Sequence, residues 1–305
     1  MAPEMRPQPS SMTFGEQSTE KESHDMLSYS LDQGINMLDT AEIYPIQPKE
    51  ETQGRTDLYV GRWMKSKPRD KVILATKVSG YSDRTFLRDN AEMVRVDAPN
   101  IKESVEKSLS RLSTDYIDLL HIHCVPFEDQ LKALQELIDE GKVQYIGVSN
   151  ETSYGVMRFV QAAKLHGLPK IVSIQNGYSL LVRCSFEVDL AEVCHPNNQH
   201  WAARLLPTGL NLFPGYMQRY NALLAKEATK EYLKVAKKHV LTPVQLALGF
   251  VRDRPFTAST IIGVTTMDQL KENINAFTSA PRPLPPQVLD DIETVFKRYR
   301  DPAVL

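Results

Sequence analysis

Six short runs rich in aliphatic and β-branched residues recur along the chain, separated by longer stretches of helical period, and this alternation most limits what the chain can fold into. They are Ile35–Thr40, Val72–Val78, Ile117–His123, Tyr145–Ser149, Ile171–Gln175 and, after a long gap, Thr260–Val264. Each is apolar along its length, as a strand is when both its faces are covered, and strands joined by helices build parallel sheets. The helical stretches carry their own start and stop signals. Asn100–Glu103 reads as a capping box opening a helix that puts Ile101, Val105, Leu109 and Leu112 on one face, and Pro126–Asp139 is amphipathic with Gly141 just past its end. Met217–His239, Thr242–Arg252 with Pro243 at its first position, and Gln287–Tyr299 complete the helices read in this way.

Strand–helix repeats fit either an open doubly wound sheet or a (β/α)8 barrel. The G-x-G-x-x-G turn that a dinucleotide-binding open sheet places after its first strand is absent. Polar residues stand instead at the C-terminal ends of successive strands: Asp39, Lys77, His123, Ser149 with Asn150, and Gln175 with Asn176. Barrels build their active sites on that rim. Loops that begin at strand ends account for one or two such positions but not for five in register. The expected fold is therefore α/β, a (β/α)8 TIM barrel that is short of strands. Residues 1–11, with three prolines, are expected to be a disordered tail, and residues 12–305 a single domain.

Composition narrows the function. The 36 Lys and Arg against 38 Asp and Glu leave a net charge of −2, which offers no electrostatic footprint for nucleic acid. No apolar run approaches the roughly 20 residues that span a bilayer, and the N-terminal stretch resembles neither a signal nor a transit peptide. Cys124, Cys184 and Cys194 lack C-x-x-C or Cys/His spacing, so neither a disulfide framework nor a metal site is expected. The reading is of a cytoplasmic protein acting on a small molecule, without nucleic acid or membrane as partner.

On neighbouring barrel strands, Asp39, Lys77 and His123 meet at one rim, and Tyr44 enters it from the loop after Asp39. A carboxylate keeps Lys77 charged, and a cation beside Tyr44 stabilises the phenolate, so Tyr44 can give a proton to a developing alkoxide while His123 polarises a carbonyl. Any one of the four taken alone fits a structural role better, and the four together favour catalysis. Gly263–Asn273 runs from a strand end into a helix whose N-terminal amides attract phosphate, although Thr266–Gln269 would cap that helix without any ligand.

The text around these residues resembles the aldo-keto reductases, NADP(H)-dependent (β/α)8-barrel oxidoreductases, and most of all their plant and bacterial long-chain members. The matching segments are Met12–Glu16 (MTFGE), Gly34–Glu42 (GINMLDTAE), Ala75–Lys77 (ATK), Asp115–Leu119 (DYIDL), Gly141–Asn150 (GKVQYIGVSN), Ser173–Asn176 (SIQN) and Ile261–Gly263 (IIG). The resemblance implies a catalytic tetrad of Asp39, Tyr44, Lys77 and His123, with Tyr44 the proton donor. It also implies NADPH, its nicotinamide carboxamide held by Ser149, Asn150 and Gln175. The adenosine half falls to Gly263, Thr265, Gln269, Glu272 and Asn273. The expected activity is NADPH-dependent reduction of aldehydes or ketones; the alternative is a cofactor-binding or regulatory protein with impaired catalysis, like the potassium-channel β subunits. Three departures stand out. The first strand is cut to a stub at Met12–Gly15, His123 runs through Cys124–Pro126 almost directly into a helix, and no β-rich run supplies a seventh strand, which Ala202–Leu206 fills only in part.

Overall fold

The computed structural model describes residues 7–89, 93–122, 127–194, 200–204 and 217–303, with side chains described except at 7–9, 127, 194 and 200–204. Eight parallel strands close into a barrel in chain order: β1 (Pro7–Ser10), β2 (Met37–Asp39), β3 (Ile73–Lys77), β4 (Ile117–Ile122), β5 (Val143–Ser149), β6 (Ile171–Gly177), β7 (His200–Arg204) and β8 (Ser259–Gly263). The helices are α1 (Glu20–Asp32), α2 (Arg55–Met64), α3 (Ala98–Leu112), α4 (Phe127–Asp139), α5 (Ser153–His166), α6 (Cys184–Glu187), α7 (Leu190–Cys194), α8 (Leu223–Lys238), α9 (Pro243–Arg252), α10 (Met267–Ser279) and α11 (Pro286–Arg298). None of the described helices is long and apolar enough to cross a membrane.

The (β/α)8 architecture is as expected, and the arc of five from β2 to β6 falls on the apolar runs. The two strands expected to be missing are present, and both are short. β1 lies inside the stretch read as a disordered tail and pairs with β8 over four residues, Pro7 opposite Thr260 through Ser10 opposite Gly263, but with β2 only at Ser10 and Asp39. Parallel strands send the N–H and C=O of alternate residues to opposite neighbours. Ser11 donates its N–H to the Asp39 carbonyl at 3.1 Å, so Pro7 and Pro9 turn their missing N–H groups toward β2 and leave the β8 ladder intact. β7 pairs with β6 from Ser173–His200 to Gly177–Arg204 and with β8 from Ala202–Ser259 to Arg204–Ile261. It overlaps the stretch named as a partial filler. Backbone pairing does not depend on β-rich side chains, and two facing strand edges with unsatisfied N–H and C=O groups favour any extended segment that reaches them.

The connection from β4 to α4 spans only residues 123–126, as the sequence implies. The helix over Ile101–Leu112 starts earlier than expected. Its cap is Asp97, whose carboxylate accepts the Asn100 N–H at 3.2 Å, so Asn100 sits inside the first turn. α9 is capped as expected by Thr242, with Pro243 at its first position.

The outward faces of the strands carry the hydrophobic core. Leu120, Ile122, Ile146, Val148 and Ile174 pack beneath Leu131, Leu134, Val156 and Phe159 of the helical layer, and Leu38, Leu74 and Ile262 pack beneath Val60, Trp63 and Leu270. Toward the rim the inward faces are different, small or polar at Asp39, Lys77, His121, Gly147, Ser173 and Gln175. Gly147 on β5 lies between His121 on β4 and Ser173 on β6, which hydrogen-bond across it at 3.1 Å. A Cβ at Gly147 would lie 2.7 Å from His121 Cδ2 and 2.8 Å from the Ser173 carbonyl oxygen. One of those neighbours is backbone and cannot swing aside. Gly147→Ala is therefore expected to destabilise the barrel by about 1–3 kcal/mol, the usual cost of overpacking, measured as a lower midpoint in urea; an unchanged midpoint would show that the interior has slack.

Candidate active site

β2 and β3 are neighbours, with Asp39 opposite Ala75, and each ends in an ionisable residue. Lys77 Nζ donates to Asp39 Oδ1 at 2.6 Å and to the Thr40 carbonyl at 2.7 Å. From β6, on the other side of the barrel mouth, Gln175 Nε2 donates to the same Asp39 oxygen at 2.8 Å. Asp39 is 0% and Lys77 4% exposed. A charged pair this dry is tolerated only when hydrogen bonds satisfy it as well as charge, and the Thr40 carbonyl and the Gln175 amide supply them. The ammonium also lies 5.2 Å from the centre of the buried Tyr44 ring, within range of the ring's negative face.

The loop that carries Tyr44 is held by a second buried pair. Arg88 forks onto Glu42 at 2.7 and 3.0 Å, and the same carboxylate accepts the Ser79 N–H at 2.6 Å, which ties the exit of β3 to the exit of β2. Gln53 donates to the Glu42 carbonyl at 2.9 Å, and the Gly54 N–H donates to the Tyr44 carbonyl at 3.1 Å. On the other side Met12 packs on Ala41 and Tyr44, and its carbonyl accepts the Ile46 N–H at 3.0 Å. A cavity of about 200 Å³ opens above this floor, lined by Ile43, Tyr44, Lys77, Ser79, Tyr81 and Arg84 among others.

The predicted cofactor residues fall into two groups. Ser149 Oγ and the Asn150 N–H both donate to the Gln175 carbonyl, at 3.1 and 3.0 Å. Asn150 turns the chain at φ 52, a left-handed conformation that asparagine tolerates better than most residues. Gln175 is 2% exposed and its Oε1 has no partner among the described residues. A buried amide oxygen awaiting a donor, beside Ser149 and Asn150, fits a ligand carboxamide. The second group lies at β8 and α10. Gly263 ends β8 opposite Ser10, Thr265 donates through N–H and hydroxyl to Gln269 Oε1 at 2.8 and 2.9 Å, and Thr266 caps α10. Glu272 is exposed and Asn273 half-buried on the same helix. Thr13, next to Met12, donates its hydroxyl to the Val264 carbonyl at 2.8 Å, so this second group is tied to the residues that pack on Tyr44.

Asp39, Tyr44, Lys77 and Gln175 are thus brought together. His123 follows the last residue of β4 and lies outside the described residues. Sequence reasoning missed Ser79, Tyr81 and Arg84, which line the cavity, and the pairing of Glu42 with Arg88. Glu42 stood in plain view between Asp39 and Tyr44, but nothing local to position 88 marks its partner.

The family model described as aldo/keto reductase family matches residues 11–296. Protein Tas of Escherichia coli is 42% identical over 338 residues, covering 96% of this chain and 94% of its own length. An aldo-keto reductase of Babesia bovis is 35% identical over 283 residues, 76% of this chain and 98% of its own. A Schizosaccharomyces pombe protein named for a voltage-gated potassium channel beta subunit is 27% identical over 309 residues, 93% of this chain and 87% of its own. The first of these alignments is longer than the 305-residue chain, so Tas carries residues with no counterpart here.

Thr40, whose carbonyl holds Lys77, donates its hydroxyl to the fully buried Asp57 at 2.7 Å, and Arg111 Nε reaches the other Asp57 oxygen at 3.2 Å. Burial pushes the Asp57 carboxyl above its ordinary value of 3.8, against the opposing pull of Arg111 and the Thr40 hydroxyl. The folded protein holds this proton more tightly than the unfolded chain does. The stability it contributes is therefore present below pH 3.8 and is lost as pH rises through the folded value. Asp57→Asn removes that loss, so the stability of the variant relative to the parent should rise with pH across the same window. Urea unfolding of both proteins at several pH values from about 4 to 7 measures it, and a flat difference would contradict the assignment.

Proposed function

The chain belongs to the aldo-keto reductase family, a family of oxidoreductases, and from that premise we propose that it reduces aldehydes or ketones to alcohols with NADPH. The observation that carries the reading is the Lys77 ammonium, fixed by Asp39 and lying beside the Tyr44 ring at the floor of a cavity. Bound NADPH would supply the hydride that the carbonyl carbon accepts. Tyr44 gives its hydroxyl proton to the carbonyl oxygen as that oxygen gains charge, and Lys77 stabilises the phenolate left behind until solvent restores the proton. Asp39, buried with Lys77, holds the ammonium in place. His123 is assigned the orientation of the carbonyl oxygen. Ser149, Asn150 and Gln175 would hold the carboxamide, Gln175 through the oxygen that has no partner among the described residues. Gly263, Thr265, Gln269, Glu272 and Asn273 would take the adenosine half.

A second reading is a cofactor-binding protein with slow or no turnover. Two observations favour it: the likeness to the protein named for a channel beta subunit, and the chain that Tas has and this protein lacks.

Fluorescence titration with NADPH, followed by oxidation of NADPH in the presence of a panel of aldehydes, separates the two readings. Saturation at 100 times Kd should stabilise the fold by about 2.7 kcal/mol. Tyr44→Phe is expected to lower kcat by roughly 10²-fold or more while leaving the NADPH Kd within about threefold. Binding without turnover by the parent would establish the second reading, and turnover undiminished in Tyr44→Phe would remove the proposed proton donor.

A further inference from the structure

The cavity above Tyr44 has a wall that the reductase chemistry does not use. Ser79 is 6% exposed, its N–H is fixed on Glu42, and its hydroxyl has no partner among the described residues although it lines the cavity. Further out on the same wall stand Tyr81, which is 64% exposed, and Arg84. Three cations on the neighbouring elements are committed. Lys77 is held by Asp39, Arg88 by Glu42, and Lys107 by Asp89 and Glu103. Among the described residues the Arg84 guanidinium makes no ion pair or hydrogen bond, not even with the adjacent Asp83, and no carboxylate is among those that line the cavity. The cavity thus presents the Tyr44 phenol, a buried Ser79 hydroxyl and an exposed Arg84 guanidinium, the last two without a partner among the described residues.

Resting on the reductase reading, we infer that Ser79 and Arg84 select carbonyl substrates that carry a carboxylate a few carbons from the reacting carbonyl. The guanidinium fork matches a carboxylate, and the two form charge-assisted hydrogen bonds that a neutral end group does not make. Ser79 donates to an oxygen nearer the reacting end. The volume of about 200 Å³ limits the ligand to a small molecule, since a cavity of about 150 Å³ takes benzene. A short aliphatic oxo-acid meets these limits. Arg84 touches the far end of the substrate and is a specificity-determining residue, with no part in the hydride or proton transfer.

The test compares 4-oxobutanoate with butanal, which share a four-carbon aldehyde chain and differ at the end group, in the parent and in Arg84→Gln. The parent should favour 4-oxobutanoate in kcat/KM. Arg84→Gln should lower the ratio of the two kcat/KM values at least tenfold, through KM for the oxo-acid, with Arg84→Lys recovering part of the loss. A ratio within twofold of the parent's overturns the inference. Calorimetric binding of succinate, which has no carbonyl to reduce, gives a readout independent of turnover. Succinate affinity that falls at least tenfold in Arg84→Gln supports the subsite even if neither aldehyde is reduced, which would count against the reductase reading alone. Absent succinate binding, or binding indifferent to Arg84, overturns the subsite whatever the turnover.

Discussion

Lys77 meets Asp39 at 2.6 Å in a place almost closed to water, and the arrangement of the rim follows from the need to keep that contact satisfied. An ammonium and a carboxylate taken out of water lose several kcal/mol of hydration each, and attraction between them returns it only where geometry is good and the remaining donors and acceptors are paired. Here the partners come from distant parts of the chain. The Thr40 carbonyl takes one ammonium hydrogen, and the Gln175 amide, 136 residues from Asp39, gives the shared carboxylate oxygen a second donor from the far wall. The pair therefore forms only once β2, β3 and β6 are in register. A half-assembled barrel would expose it to water or leave one charge unpaired.

The same logic extends outward. Tyr44 belongs to a loop, and a loop would ordinarily hold a phenol loosely. Glu42 and Arg88 remove that freedom by clamping the loop to the exit of β3 through the Ser79 N–H, and Thr40 with Asp57 fixes the stretch just before it. The layer of the barrel interior just beneath is small and polar, with Gly147 letting His121 reach Ser173. Rigidity at the rim thus comes from buried polar networks, and the helices outside the strands supply most of the apolar burial. The division suits a site that must hold charges at fixed positions while a ligand enters from the open end.

Much of the arrangement was legible before any coordinates. The apolar runs identify five strands of the arc and β8, because strands covered by helices must be apolar on their outer faces. Asp39, Lys77 and Gln175 stood out because polar residues at the ends of such runs have few reasons to be there. β1 and β7 were not legible. Their sequences lack β-branched runs and β1 holds two prolines, so local preference argues against both. They are strands because β6, β8 and β2 present backbone edges that demand partners, and in β1 the prolines face the side where only one residue pair is needed.

What the sequence determined by itself is the family, the order of β2 to β6 and β8 with most of their helices, and Asp39, Tyr44, Lys77, Ser149 and Gln175 as candidates for one rim. Those follow from short-range pattern: hydrophobic period, strand length and the text at each strand end. The tertiary structure alone decided which of them touch, that Gln175 reaches Asp39, that Glu42 finds Arg88, and that Ser79 and Arg84 share a wall with Tyr44. Each of those contacts joins residues far apart in the chain, and their meeting is set by barrel closure and by the penalty on unpaired buried charge, neither of which any single segment records.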